Sequence, residues 1–139
     1  MKWMGIDYGT KNIGIALSDD TGRIAFPKMI IQNDGFTFDK ILNLFEEEQV
    51  GSVVIGDSVN SKGEKNIVSE KIDFFVSELK DKCALPLYRE KEFFTSMEAA
   101  GRKGKEIRTA RKIKTERKKK NDASAAALIL QRYLDKINK

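Results

Sequence analysis

Asp7 stands inside an otherwise apolar run, Lys2-Trp3-Met4-Gly5-Ile6-Asp7-Tyr8. Aspartate is depleted in strands, and a carboxylate withdrawn from water is costly unless it is paired or bound to a cation. Two more acids fall where they could meet it: Glu92, after the last expected strand, and Asp122, at the start of the closing helix. Glu90 competes with Glu92, lying one alternation step earlier on the same strand face. Clustered carboxylates repel one another, and Mg2+ or Mn2+ relieves the repulsion while keeping coordination positions for water and phosphate oxygens. Two such ions about 3.5–4 Å apart can hold the attacking water and the leaving oxygen in line across a phosphodiester. Simpler roles exist for each acid: a turn cap for Asp7, a helix N-cap for Asp122, a solvated edge charge for Glu92.

Positioning these acids requires strands that end together. Residues 2–8 and 12–18 are short apolar runs joined at Gly9-Thr10-Lys11, which predicts a hairpin. Ser18-Asp19-Asp20-Thr21-Gly22 is a second turn, leading to a third strand over 23–32 that Pro27 confines to an edge or a bend. Phe36, Ile41, Leu44 and Phe45 recur at helical spacing. Val50 to Gly56 is a nearly continuous apolar run, as in a parallel strand covered on both faces, with a loop over 57–63 beyond it. A second amphipathic helix is expected over 64–82, presenting Ile67, Ile72, Phe75, Val76 and Leu79 inward. A strand then runs over 84–88, and Thr95 to Glu98 reads as a helix start. Asn121 or Asp122 can cap a last helix through the alanine-rich stretch to Leu134. The order predicts an α/β fold with a mixed five-stranded sheet, an antiparallel three-strand meander plus parallel strands, flanked by helices. In such sheets ligands bind beyond the carboxyl ends of the strands.

Composition narrows the chemistry. The 139 residues, 40% of them hydrophobic, suit one globular domain over 1–139. There is no histidine and one cysteine, Cys83, so intrachain disulfides, cysteine–histidine zinc sites and histidine general bases are all excluded. No apolar run approaches the roughly 20 residues of a membrane span, and no signal peptide is evident, so no membrane partner and a cytoplasmic location are expected. Charge is unevenly spread. Residues 102–120 hold eleven Lys and Arg against two Glu, a net +9 in a chain whose total is +5. Arg102, Lys103, Lys105, Arg108, Arg111, Lys112, Lys114, Arg117, Lys118, Lys119 and Lys120 thus form a basic segment, expected to be a mobile loop, that suits a polyanionic partner. Lys11, in the first turn, is a further candidate for phosphate contact.

Asp7-Tyr8-Gly9-Thr10-Lys11-Asn12-Ile13-Gly14-Ile15-Ala16-Leu17-Ser18-Asp19 resembles the N-terminal signature of the YqgF/RuvX family. The likeness continues through Val53-Val54-Ile55-Gly56, Glu92-Phe93-Phe94-Thr95-Ser96-Met97-Glu98-Ala99 and Asp122-Ala123-Ser124-Ala125-Ala126-Ala127. The resemblance implies a ribonuclease H-like fold and the metal-binding acids Asp7, Glu92 and Asp122, the register of Thr95-Ser96 favouring Glu92 over Glu90. It also implies a Mg2+- or Mn2+-dependent endonuclease processing the 5′ end of pre-16S rRNA in ribosome biogenesis, with Holliday junction resolution in DNA recombination as the alternative. Structured nucleic acid, pre-rRNA or branched DNA, is the implied partner of a monomer or weak homodimer. Lys91 and Phe93 stand where the family carries an acid and an arginine, and Asp57-Ser58 where it carries Leu-Pro. These departures motivate a third reading, a catalytically weakened nucleic-acid-binding relative. Asp-x-Gly-Thr also opens the phosphate-binding hairpin of acetate-kinase- and actin-like ATPases, which need two such domains.

Overall fold

The computed structural model describes residues 1–59, 67–93 and 121–138, with side chains at 58, 59, 67, 68, 92, 93, 121 and 122 not described. The elements are β1 (Lys2–Asp7), β2 (Asn12–Ser18), β3 (Ala25–Gln32), α1 (Thr37–Glu47), β4 (Val50–Val59), α2 (Ile67–Lys82), β5 (Leu87–Phe93) and α3 (Asn121–Ile137). They build a five-stranded sheet of order β3-β2-β1-β4-β5. β1, β2 and β3 pair antiparallel, whereas β4 and β5 run parallel to β1. The expected meander and parallel extension are both present.

The two faces of the sheet are covered by different helices. Met4, Ile6, Ile13, Ile15, Leu17, Val53 and Ile55 pack with Ile41, Leu44 and Phe45 of α1 and Ile72, Phe75 and Leu79 of α2. Ala16 and Val54 face the other way, onto Ala126, Ile129, Leu130 and Leu134 of α3. Each buried Leu, Ile or Phe contributes about 1.5–3 kcal/mol, so the larger face supplies most of the driving force.

Several boundaries differ from expectation. The strand expected over 84–88 is displaced to Leu87–Phe93. Pro86 cannot donate, but its carbonyl accepts from Val53 N–H (3.0 Å), and the ladder to β4 continues to Phe93. Glu92 therefore lies within the last strand rather than beyond it. β4 likewise runs to Val59, three residues past Gly56, because Asp57, Ser58 and Val59 pair with Lys91, Glu92 and Phe93. Phe36 is 66% exposed just before α1, and the inward position belongs to Thr37. Asn121 and Asp122 both lie within α3 rather than capping it. The helix start at Thr95–Glu98, the basic segment 102–120 and the remainder of the 57–63 loop fall outside the described residues.

Pro27 sits on edge strand β3 beside a register irregularity opposite Ile15 and Ala16, as its missing N–H requires. Ser18, fully buried, closes the other end of the first hairpin. Its hydroxyl accepts from Trp3 N–H (2.8 Å) and donates to the Asp19 carbonyl (2.8 Å).

Candidate functional site at the carboxyl ends of the parallel strands

Strand alternation separates the residues of β1 by face. Met4 and Ile6, with Tyr8 beyond them, belong to the α1–α2 side, so Trp3, Gly5 and Asp7 fall on the α3 side. The direction of α3 across that face follows from two contacts. The Trp3 and Tyr133 rings lie 5.5 Å apart, near the amino end of β1. Further along the strand, Gly5 meets Ala126 and Leu130. α3 therefore runs opposite to β1, its amino end toward the strand's carboxyl end. From Gly5 to Asp7 is about 6.8 Å of strand. From Ala126 back to Asp122 is about 6 Å of helix. The two backbone positions advance together to the same edge of the sheet.

Gly5 makes this approach possible. A Cβ there would sit 2.7 Å from the Ala126 carbonyl oxygen and 2.8 Å from Leu130 Cβ. The absence of a side chain, not an unusual φ, is what the position demands.

β5 contributes through the same alternation. Tyr88 packs on Trp3 (5.6 Å between ring centroids) and on Tyr133 (5.3 Å), which assigns positions 88, 90 and 92 to the α3 face. Val54 and Gly56 of β4 pair with Tyr88 and Glu90, and Ser58 pairs with Glu92. Glu90 is nearly level with Asp7, one residue past the last β1–β4 partner pair. Its side chain, however, is 4% exposed and both its carboxylate oxygens accept from Lys136 Nζ of α3, Oε2 at 2.9 Å. Glu90 is thereby committed to a structural ion pair, while position 92 lies further toward the open edge of the same face. Beside this pair, burial pushes the Tyr133 phenol up from its ordinary range, with Tyr88 and Glu90 adding to the shift and Lys136 opposing it.

Asp7 is half-buried and Lys11, in the turn that follows, is exposed. The backbone of Asp7, the end of β5 that carries Glu92 and the amino end of α3 that carries Asp122 lie toward one end of the sheet, and carboxylates are hard oxygen donors of the kind that suit Mg2+. Among the described residues no three His, Cys, Asp or Glu side chains gather; the side chains of Glu92 and Asp122 lie outside that description.

The opposite face holds a network that sequence reading missed. Arg89 Nη2 donates to Asp57 Oδ1 (2.7 Å) and to Asp73 Oδ1 (3.0 Å), tying β5 to β4 and α2. Asp57 thus has a structural partner. The signal was available in principle, since Arg89 and Asp57 are both odd-numbered on adjacent parallel strands, but it needed the register to be known.

Comparison with known proteins matches residues 1–136 to the family model described as RuvX: Holliday junction resolvase. A protein from Oleidesulfovibrio alaskensis, named "Putative pre-16S rRNA nuclease", is 36% identical over 138 residues, covering 97% of this chain and 92% of that one. A protein of the same name from Nitratidesulfovibrio vulgaris is 36% identical over 144 residues, covering 97% and 94%. Among solved structures, T. thermophilus RuvC in complex with Holliday junction substrate superposes with a TM-score of 0.51 at 13% identity, over 66% of this chain and 64% of that one, a likeness of fold. The RuvC core and the present sheet share their ribonuclease H-like architecture.

Proposed function

Because the chain belongs to the RuvX family, matched over residues 1–136, we propose that it is a metal-dependent endonuclease that processes the 5′ end of pre-16S rRNA. The observation that supports this reading is the backbone arrangement: α3 runs opposite to β1, so that its amino end, where Asp122 stands, lies toward the end of the sheet to which Asp7 and the end of β5 also belong. Asp7, Glu92 and Asp122 are the residues that would hold the metal. When bound, Mg2+ or Mn2+ supplies charge neutralisation at the scissile phosphate and lowers the pKa of a coordinated water. With no histidine in the chain, the protein's own part is to place three carboxylates and to bind the polyanion. Lys11 stands beside the site, and the eleven basic residues between Arg102 and Lys120 enter the sequence just before Asp122. Both would contact phosphates, which position the substrate without reading its bases. With pre-rRNA as substrate the place of action is the cytoplasm, and none of the described helices is long and apolar enough to cross a membrane.

Branched DNA is the second reading, favoured by the resolvase description of the family model. A junction resolvase cuts two strands and works as a dimer, whereas rRNA trimming needs one site.

The test compares wild type with Asp7→Asn on a precursor rRNA stem and on a four-way DNA junction, with Mg2+, Mn2+ or EDTA. Wild type is expected to cut the RNA with metal only, and Asp7→Asn to lose at least about 100-fold in rate, the order of one lost electrostatic element of an active site. Equal cutting by Asp7→Asn would sink the carboxylate site. Preference for the junction, together with a dimer in sedimentation, would select the second reading.

A further inference from the structure

The first turn, Gly9-Thr10-Lys11, follows Asp7 after one residue, Tyr8, and leaves Thr10 and Lys11 exposed at the carboxyl end of β1. Two of its carbonyls are held by one residue from outside it. Asn33, just after β3, donates its backbone N–H to Lys11 O (2.8 Å) and its side-chain Nδ2 to Gly9 O (2.9 Å). The amide has a defined orientation. Its other end, Oδ1, lies 3.5 Å from the Thr37 hydroxyl, and only the NH2 end can face a carbonyl oxygen. Thr37 is itself held: its hydroxyl accepts from Asp34 N–H (2.8 Å) and lies within donating distance of Asp34 O (2.9 Å) and Gln32 O (3.1 Å). Thr37 is 2% exposed, so the clamp is anchored in the first turn of α1.

The turn is tight as well as clamped. A Cβ on Gly9 would fall 2.3 Å from the Asn12 carbonyl oxygen, so the chain closes on itself where a side chain would stand. In a planar trans peptide the N–H points opposite to its C=O. With Gly9 O turned toward Asn33, the Thr10 N–H is directed away from it. Thr10 N–H, the Thr10 hydroxyl and the Lys11 ammonium then form a set of donors on an exposed turn just past Tyr8.

We propose that Asn33 is a positioning residue, which through Gly9 and Lys11 holds the first turn in the shape that lets Lys11 engage a substrate phosphate beside Asp7. The inference rests on the nuclease reading for the identity of the polyanion, but it concerns a residue outside the acids and the basic segment. A side chain tethered through its backbone loses less freedom on binding, and phosphate contacts of this kind set register.

The experiment measures binding of the full chain to a labelled four-way DNA junction and to an RNA stem, in EDTA, across a series of salt concentrations. Wild type, Asn33→Ala, Asn33→Asp, Lys11→Ala and the double variant Asn33→Ala/Lys11→Ala are compared. Asn33→Asp keeps the shape but turns a carboxylate oxygen on the Gly9 carbonyl. Each single variant is expected to lower the magnitude of the slope of log K against log salt by about 0.9 on the duplex arms of the DNA junction, with a change of the same sign on the RNA stem. The double variant should lose no more than either single one, since both remove the same interaction. In cleavage assays Asn33→Ala should raise KM and leave kcat within about twofold, as for a uniform binding contact. An unchanged slope in Asn33→Ala, or additive losses in the double variant, would overturn the proposal even if only stability had fallen. Because binding is read without metal, these outcomes are separate from the Asp7→Asn result that tests the nuclease reading.

Discussion

The Asp19 carboxylate accepts three hydrogen bonds in the turn between β2 and β3, from Thr21 Oγ1 (2.6 Å), Arg23 N–H (3.0 Å) and Ile24 N–H (3.2 Å). The Thr21 hydroxyl first, then the Arg23 amide, hold its pKa down to about 2 against an ordinary 3.8. A depressed acid stabilises the fold above its unfolded pKa and loses that contribution as pH falls through the folded value. Thermal unfolding followed from pH 5 to pH 2 should therefore decline more steeply in wild type than in Asp19→Asn, with the curves diverging at and above pH 4. Identical profiles would remove Asp19 from the turn's stability. The ion pair of Glu90 and Lys136 is a second residue-scale case. Glu90 is buried while the Lys136 side chain is 64% exposed, so solvent screens one partner only. Lys136→Met leaves the carboxylate without its cation and is expected to cost about 1–3 kcal/mol in urea unfolding. Glu90→Leu combined with Lys136→Leu should recover most of it, because the buried charge is then gone.

At the scale of elements, the contact between β1 and α3 sets how near the amino end of α3 comes to the carboxyl end of β1. Gly5→Ala places a methyl group against the Ala126 carbonyl, backbone that cannot turn aside, and overpacking of this kind costs about 1–3 kcal/mol. The helix must move away from the sheet, and Asp122 moves with it. In the proposed nuclease, where Asp122 is one of the catalytic acids, a displacement near 1 Å can cost on the order of 100-fold in rate. Trp3, the sole tryptophan, packs on Tyr133 of α3 and Tyr88 of β5, so its fluorescence reports the displacement directly. Unaltered emission and activity in Gly5→Ala would show that this close approach does not position the site. α1 ends in a less expected way: Gln49 adopts φ 53°, a left-handed conformation usual for glycine, in order to turn the chain into β4.

Over the whole molecule, charge and fold divide the work. The basic segment carries net +9 and the remainder −4, so under the proposed function the polyanion would be drawn to one part of the chain. Replacing Lys118, Lys119 and Lys120 by Ala should lower the salt slope of binding by about 0.7 for each RNA phosphate that is no longer neutralised, with every sequence weakened alike. An unchanged slope would return this segment to a solvated surface role. Such a weakening would be additive with that of Asn33→Ala, since the two act on different phosphates.

The order of the described elements, the meander and most inward positions of α1 and α2 were readable in sequence, because hydrophobic periodicity is a local consequence of backbone geometry. Asp7 was conspicuous for the same reason, as a charge out of place in an apolar strand. Glu92 was not separable from Glu90 by spacing alone, since both lie on one strand face; the resemblance favoured Glu92, and the Glu90–Lys136 pair supplied a physical reason. The extension of β4 and β5 to Val59 and Phe93 was hidden, because Arg89-Glu90-Lys91-Glu92 reads as polar surface until its parallel ladder is known. The pairing of Arg89 with Asp57 and Asp73, and the grip of Asn33 on Gly9, join residues from 16 to 32 positions apart. By itself the sequence determined which residues could do chemistry and which elements carry them. Register, the direction of α3 and the close approach at Gly5 were decided by tertiary packing, because long-range contacts depend on how whole elements fit and leave no periodic trace in the chain.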